Sequence, residues 1–129
     1  MPPLFEAVPN FSAGTDPDLL RALRGPDALD LHADALHDRS VVTLVETDGT
    51  RLCEALLERV GVARDGIDLG RHRGLHPRLG AADVLPVVPL RGATLEDAQA
   101  IARRLAVGRA GRGSGGVFSR RAGGAAFAR

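Results

Sequence analysis

Apolar and polar positions along the chain fall into alternating strand-like and helix-like stretches. Residues 4–8 read as a short strand, stopped by Pro9 and the turn formers Asn10, Ser12 and Gly14. A helix should follow, capped by Asp16, with Pro17 in its first turn, an apolar stripe at Leu19, Leu20 and Leu23, and a stop at Gly25. Residues 28–34 alternate well enough for a second strand. Residues 40–46, rich in β-branched side chains, form the clearest β stretch. Asp48-Gly49 reads as a turn from which Thr50 opens a second helix, with Cys53, Leu56, Leu57 and Val60 on its buried face. That helix stops at Gly61 or continues more weakly to about Arg64. Residues 84–90 are a further strand, where Pro86 and Pro89 lack amide donors and so favour a sheet edge. Thr94 and Asp97 then start a third helix like a capping box, with Ala98, Ile101, Ala102 and Leu105 on one face.

The order is β-α-β-β-α-β with one extra C-terminal helix. This predicts an α+β, ferredoxin-like sandwich, an antiparallel sheet with helices on one face. At 129 residues, 44% hydrophobic and 26% charged, the chain suits one compact domain and is too apolar for wholesale disorder. The domain is expected to span residues 1–106. The remaining stretch, 107–129, is Gly, Arg, Ala and Ser without apolar periodicity, and reads as a disordered tail. A basic nucleic-acid-binding arm and a slipped reading frame are the alternatives for it.

Charge sharpens that division. All 16 acidic residues lie between Glu6 and Asp97, whereas the tail holds Arg109, Arg112, Arg120, Arg121 and Arg129 and no acid. Every basic residue in the chain is arginine. There is no tryptophan or tyrosine and there are four phenylalanines, which argues against nucleic-acid binding by base stacking. No apolar run approaches the roughly 18 residues of a membrane helix, and the N-terminus lacks the plan of a signal peptide. With a single cysteine, Cys53, these features predict a cytoplasmic protein.

Three polar clusters interrupt the apolar pattern. Residues 8–14, directly after the first strand, form either an ordinary turn or a loop whose amides and Asn10 side chain grip a carbonyl or carboxylate. Residues 32–39 hold His32, Asp34, His37, Asp38 and Arg39. Their spacing is not a strong metal pattern, and neither Cys nor Glu completes it, so no metal is expected. The cluster reads as a solvated hairpin loop or as the polar wall of a ligand cleft. Residues 71–80 set His76 before a proline, which holds it extended, among Arg71, Arg73 and Arg78. Neighbouring guanidiniums disfavour a proton on the imidazole and leave a neutral base near pH 7. The same arginines can hold carboxylates by paired hydrogen bonds. A plain basic surface loop is the other reading.

These clusters carry a resemblance. Ala7-Val8-Pro9-Asn10-Phe11-Ser12-Ala13-Gly14 resembles the "VPNFSEG" signature of the glutamate formimidoyltransferases, with Ala13 in place of the glutamate. His37-Asp38-Arg39-Ser40-Val41-Val42-Thr43-Leu44 is similar to that family's "HNRSVxTL", with Asp38 where Asn or His is common. His72-Arg73-Gly74-Leu75-His76-Pro77-Arg78-Leu79-Gly80-Ala81-Ala82-Asp83-Val84 is similar to its "HKGEHPRMGALDV". The resemblance implies transfer of a formimino group from N-formimino-L-glutamate to tetrahydrofolate, the co-substrate, in histidine degradation. It makes His76 the catalytic proton carrier and Asn10, Arg39 and Arg78 binders of substrate or folate carboxylates. Family transferases build the cleft between two ferredoxin-like subdomains, and this chain matches the N-terminal one alone. The resemblance therefore implies an incomplete or partner-dependent enzyme, completed by a second-subdomain chain or a homodimer. A non-catalytic folate- or protein-binding subdomain, or a truncated remnant, is the alternative.

Overall fold

A computed structural model of the chain describes residues 2–67, 82–111, 119–122 and 125–128. Its elements are β1 (Phe5–Ala7), β2 (Asn10–Phe11), α1 (Pro17–Arg24), β3 (Asp30–Asp34), β4 (Arg39–Glu46), α2 (Gly49–Gly66), β5 (Ala82–Pro89), α3 (Leu95–Gly111), β6 (Ser119–Ala122) and β7 (Ala125–Ala128).

Local chemistry sets the helix ends. Asp16 Oδ1 accepts from the amides of Asp18 at 3.0 Å and Leu19 at 3.3 Å, and Pro17 needs no partner in the first turn. The α2 helix opens at Gly49, one residue before Thr50, and Asp48 caps it, accepting from the Thr50 amide at 2.8 Å. The α2 helix passes straight through Gly61 to Gly66. Thr94 and Asp97 form the reciprocal capping pair at the start of α3, each side chain accepting from the other's amide at 3.1 and 2.9 Å.

The strands β1 and β2 are two halves of one strand, interrupted at Val8-Pro9. Both pair antiparallel with β4 on one side and β5 on the other, and β3 pairs antiparallel with β4. With β1 and β2 counted as the first strand, the spatial order is fourth, first, third, second, the ferredoxin-like arrangement. Alternate residues of the strands (Phe5, Ala7, Phe11, Val42, Leu44, Leu85 and Val87) are buried against Leu23 of α1, Leu52, Leu56 and Val60 of α2, and Ile101 and Leu105 of α3. The other face of the sheet carries Glu6, Asn10, Arg39, Val41, Thr43 and Val45.

The proline argument for a sheet edge needs correction. Strand β5 is the edge of the four-strand unit, but its outer side pairs with β7, and β7 pairs in turn with β6. An edge strand leaves a row of backbone groups open, and a short extended segment can add to it whatever its side chains. So regular structure runs beyond residue 106, with α3 continuing to Gly111 and both last strands following.

One buried charge joins α1 to α2. Arg59, 3% exposed, donates to the Leu23 carbonyl at 2.8 Å, the Ala55 carbonyl at 3.1 Å and the Arg24 carbonyl, and pairs with Asp27. Its guanidinium thus satisfies the open carbonyls at the C-terminus of α1, where a positive charge also suits the helix dipole. Gly25, at φ 64°, ends α1 where a Cβ would stand 2.8 Å from an Arg59 nitrogen.

Candidate active site

The first loop is shaped by a missing amide. The register Ala7↔Val87 places Val8 opposite Pro86, and the Val8 amide donates to the Pro86 carbonyl at 3.2 Å. An antiparallel pair of this kind normally exchanges two bonds. Pro86 has no N–H to return, so the Val8 carbonyl lacks its ladder donor. The Asn10 side chain supplies one, Nδ2 donating to that carbonyl at 2.9 Å. On the opposite side of the break the Pro9 carbonyl accepts from the Val42 amide at 3.2 Å. With its nitrogen committed, Asn10 presents Oδ1, which accepts from the Arg39 guanidinium at 3.3 Å.

The β3–β4 hairpin is pressed against the same loop. Asp34 pairs with Arg39, leaving residues 35–38 as a four-residue turn. The turn closes on Asp38, a non-glycine residue at φ 49°. Asp38 Oδ1 accepts from the Gly14 amide at 2.8 Å, binding hairpin to loop. A Cβ on Gly14 would lie 2.4 Å from the Asp34 carbonyl oxygen and 2.7 Å from the Arg39 nitrogen, so only glycine fits. Within the hairpin, Asp34 accepts twice from His37, from its backbone amide at 3.1 Å and from ring Nδ1 at 2.8 Å. These bonds, the ring's first, stabilise the charged carboxylate and hold Asp34 below its ordinary pKa. The His37 side chain is one-third exposed. Ser40, on the core face opposite Phe11, buries an Oγ without a hydrogen-bond partner among the described residues.

Of the residues the sequence singles out, the structure joins Asn10 to Arg39 directly, with Asp34, His37 and Asp38 beside them. His76 and Arg78 lie outside the described residues, as do His72, Arg71 and Arg73. Among the described residues no group of three or more His, Cys, Asp or Glu side chains is gathered as a metal site would need. A cavity of about 180 Å³ lined by Asp27, Leu44, Glu46, Arg51 and Ala55 lies at the far end of β4. At about 3.3 Å per residue that is some 20 Å along the strand from Arg39, and it is separate from this cluster.

Sequence reasoning reached the polar residues but missed the two clasps. The Gly14–Asp38 contact left a trace, since Asp is among the few residues that tolerate a left-handed turn conformation. The Asn10–Val8 bond left none, because it depends on a proline in another strand.

Residues 4–118 match the family described as "Formiminotransferase domain, N-terminal subdomain". The chain belongs to the formiminotransferase family. It is 41% identical over 109 residues to the glutamate formimidoyltransferase of Thermoplasma acidophilum, covering 79% of this chain and 36% of the relative. It is 36% identical over 113 residues to the enzyme of that name from Streptococcus pyogenes, covering 82% of this chain and 38% of the relative. To the formimidoyltransferase-cyclodeaminase of Gallus gallus it is 38% identical over 104 residues, 75% of this chain and 19% of that protein. The chain thus spans a little over a third of the two formimidoyltransferases. Both halves of the Asn10–Arg39 contact fall inside the formiminotransferase match. No helix among the described residues is long and apolar enough to cross a membrane.

Proposed function

We propose that this formiminotransferase subdomain takes part in moving a formimino group from N-formimino-L-glutamate to tetrahydrofolate, within the cytoplasm and in histidine degradation. The observation that carries the reading is the Asn10–Arg39 hydrogen bond, which unites two of the family-like motifs at one end of the sheet. In this reading Arg39 holds a glutamate or folate carboxylate by paired hydrogen bonds. Asn10 sets the direction of its guanidinium. His76 takes the proton that the attacking folate nitrogen loses and returns one to the departing glutamate nitrogen. Arg78 binds a second carboxylate. The remaining wall of the cleft comes from a partner chain or a second copy, consistent with the chain's span of about a third of its transferase relatives.

The test is to mix the purified chain with formiminoglutamate and tetrahydrofolate, alone and with a candidate second-subdomain chain, and to follow 5-formiminotetrahydrofolate. Product in either mixture, abolished by His76→Ala, is the expected result. The short span relative to those enzymes favours one other reading, a subdomain that binds folate or a protein without turnover. Folate binding with no product in any mixture would establish that alternative.

A further inference from the structure

We infer that the cavity at the end of β4 away from Arg39 is a second binding site, for a free α-amino acid with a small aliphatic side chain. It lies between β4, the first turns of α2 and the loop joining α1 to β3, and its volume is about 180 Å³. At roughly 30 Å³ per water that is the space of about six waters, enough for valine and too small for a folate. The site is independent of the transfer reading.

Strand geometry opens one wall. Successive residues of an antiparallel strand turn their backbone groups alternately to the two neighbouring strands. The Val42 amide donates to the Pro9 carbonyl on one side, and the Thr43 carbonyl accepts from the Leu29 amide at 2.9 Å on the other. Val45 therefore turns its amide and carbonyl to the β3 side, beyond the Asp30↔Thr43 pair where that ladder stops. Among the described residues no strand meets them there, and Val45 lines the cavity.

Charge decides what can enter. Glu46 Oε1 accepts from the Thr47 and Asp48 amides at 3.0 and 3.2 Å. These neutral donors fix its direction, and among the described residues no cation stands within ion-pair distance of it. Asp27 is held by Arg59 and stays half exposed. A carboxylate has about four acceptor sites, so both acids can accept further bonds. With the Val45 carbonyl they supply three acceptors, matching the three N–H groups of an ammonium. Arg51, 74% exposed in the first turn of α2, offers a guanidinium fork to a carboxylate at the mouth. Leu44, Leu52 and Ala55 form an apolar wall for a short side chain. A simple anion would meet two carboxylates, and a simple amine would leave Arg51 unused. A zwitterion satisfies both signs.

The test is titration of the nitrogen-15-labelled full chain with L-valine, with isobutylamine, which lacks the carboxylate, and with 3-methylbutanoate, which lacks the ammonium. L-Valine should shift the Val45 and Glu46 amides saturably, with a Kd of about 1 mM for so small a ligand. Isobutylamine should bind about tenfold more weakly, and 3-methylbutanoate should leave both amides unmoved. Arg51→Gln, a change at an exposed side chain, should weaken L-valine about tenfold and leave isobutylamine unaffected, whereas Glu46→Gln should weaken both. No saturable shift with L-valine up to its solubility overturns the inference. So does binding of either one-charge analogue as tight as that of L-valine, or unchanged L-valine affinity in both variants.

Discussion

Arg39 donates to the Asn10 side-chain oxygen across 3.3 Å, joining the start of β4 to the start of β2, 29 positions apart in the chain. Asn10 can offer that oxygen because its nitrogen already bonds Val8, in the place Pro86 leaves vacant in the ladder. A proline in β5 thereby sets the direction of a guanidinium at the end of β4. The order of cause runs from a missing backbone donor, through one side-chain amide, to a candidate carboxylate-binding group.

This chain of contacts has a direct test. Asn10→Ala leaves the Val8 carbonyl without a donor and should cost about 1–2 kcal/mol in urea unfolding. Pro86→Val restores an amide opposite Val8, and in that background the same Asn10→Ala change should cost measurably less. Equal costs in the two backgrounds would refute the link between Pro86 and Asn10. Substrate binding should still weaken in the double variant, since Arg39 has lost its partner in both.

Gly14 is held by space rather than by φ. A side chain there meets backbone atoms of Asp34 and Arg39, and these can move only if the hairpin parts from the loop. Gly14→Ala should therefore cost about 3 kcal/mol, at the upper end for overpacking, and should break the Asp38 clasp. Thermal melting followed by circular dichroism reads the first effect. Loss of protection from hydrogen exchange at the Gly14 amide reads the second.

Two carboxylates set the expected acid limb of stability. Asp34 is held below its ordinary pKa by His37, and Asp27 by hydrogen bonding to Arg59 against the opposing effect of its partial burial. A folded-state pKa below the unfolded one makes the contribution complete above the unfolded value, about 4 for aspartate. It then disappears as pH falls through the folded value. Denaturant midpoints should hold steady from neutral pH to about 5 and drop below about 4. Both groups are substantially solvated, so each share is modest. Asp34→Asn and Asp27→Asn should each flatten the drop, and an unchanged acid limb in both variants would remove these pairs as its cause.

What the sequence shows of this fold is what short-range chemistry decides. Asp16, Thr94 and Asp97 cap helices through bonds spanning two or three residues, and the buried faces at Cys53, Leu56, Leu57 and Val60, and at Ala98, Ile101, Ala102 and Leu105, follow from helical spacing. The break between β1 and β2 is harder to read, because Pro9 marks a stop without showing that the strand resumes at Asn10. The pairing of β7 with β5 leaves no apolar alternation to detect, since it is made by backbone groups. Of the site, residue types in the first two clusters were legible, but their meeting was not. The Asn10–Arg39 bond depends on strand register, which no local pattern encodes.

Arg59 is the strongest case of a residue that sequence alone disguises. It sits in a helix beside Glu58 and would pass for a solvated surface charge, yet it is 3% exposed and donates to three carbonyls. Two of those carbonyls, Leu23 and Arg24, belong to the last turn of α1. Removing the guanidinium takes the donor from the Leu23 carbonyl, where the bond is buried, and from the part-buried Arg24 carbonyl, and a buried acceptor without a donor costs about 1–3 kcal/mol. Arg59→Met keeps the apolar stem and deletes the donors, so it should destabilise the chain by about 3 kcal/mol. Arg59→Lys retains the charge, but a single ammonium cannot reproduce the planar fork that spans α1 and Asp27, so it should recover less than half of that loss. Urea unfolding of the two variants beside wild type measures both differences. Full recovery by lysine would show that charge, rather than the geometry of the fork, is what α1 requires.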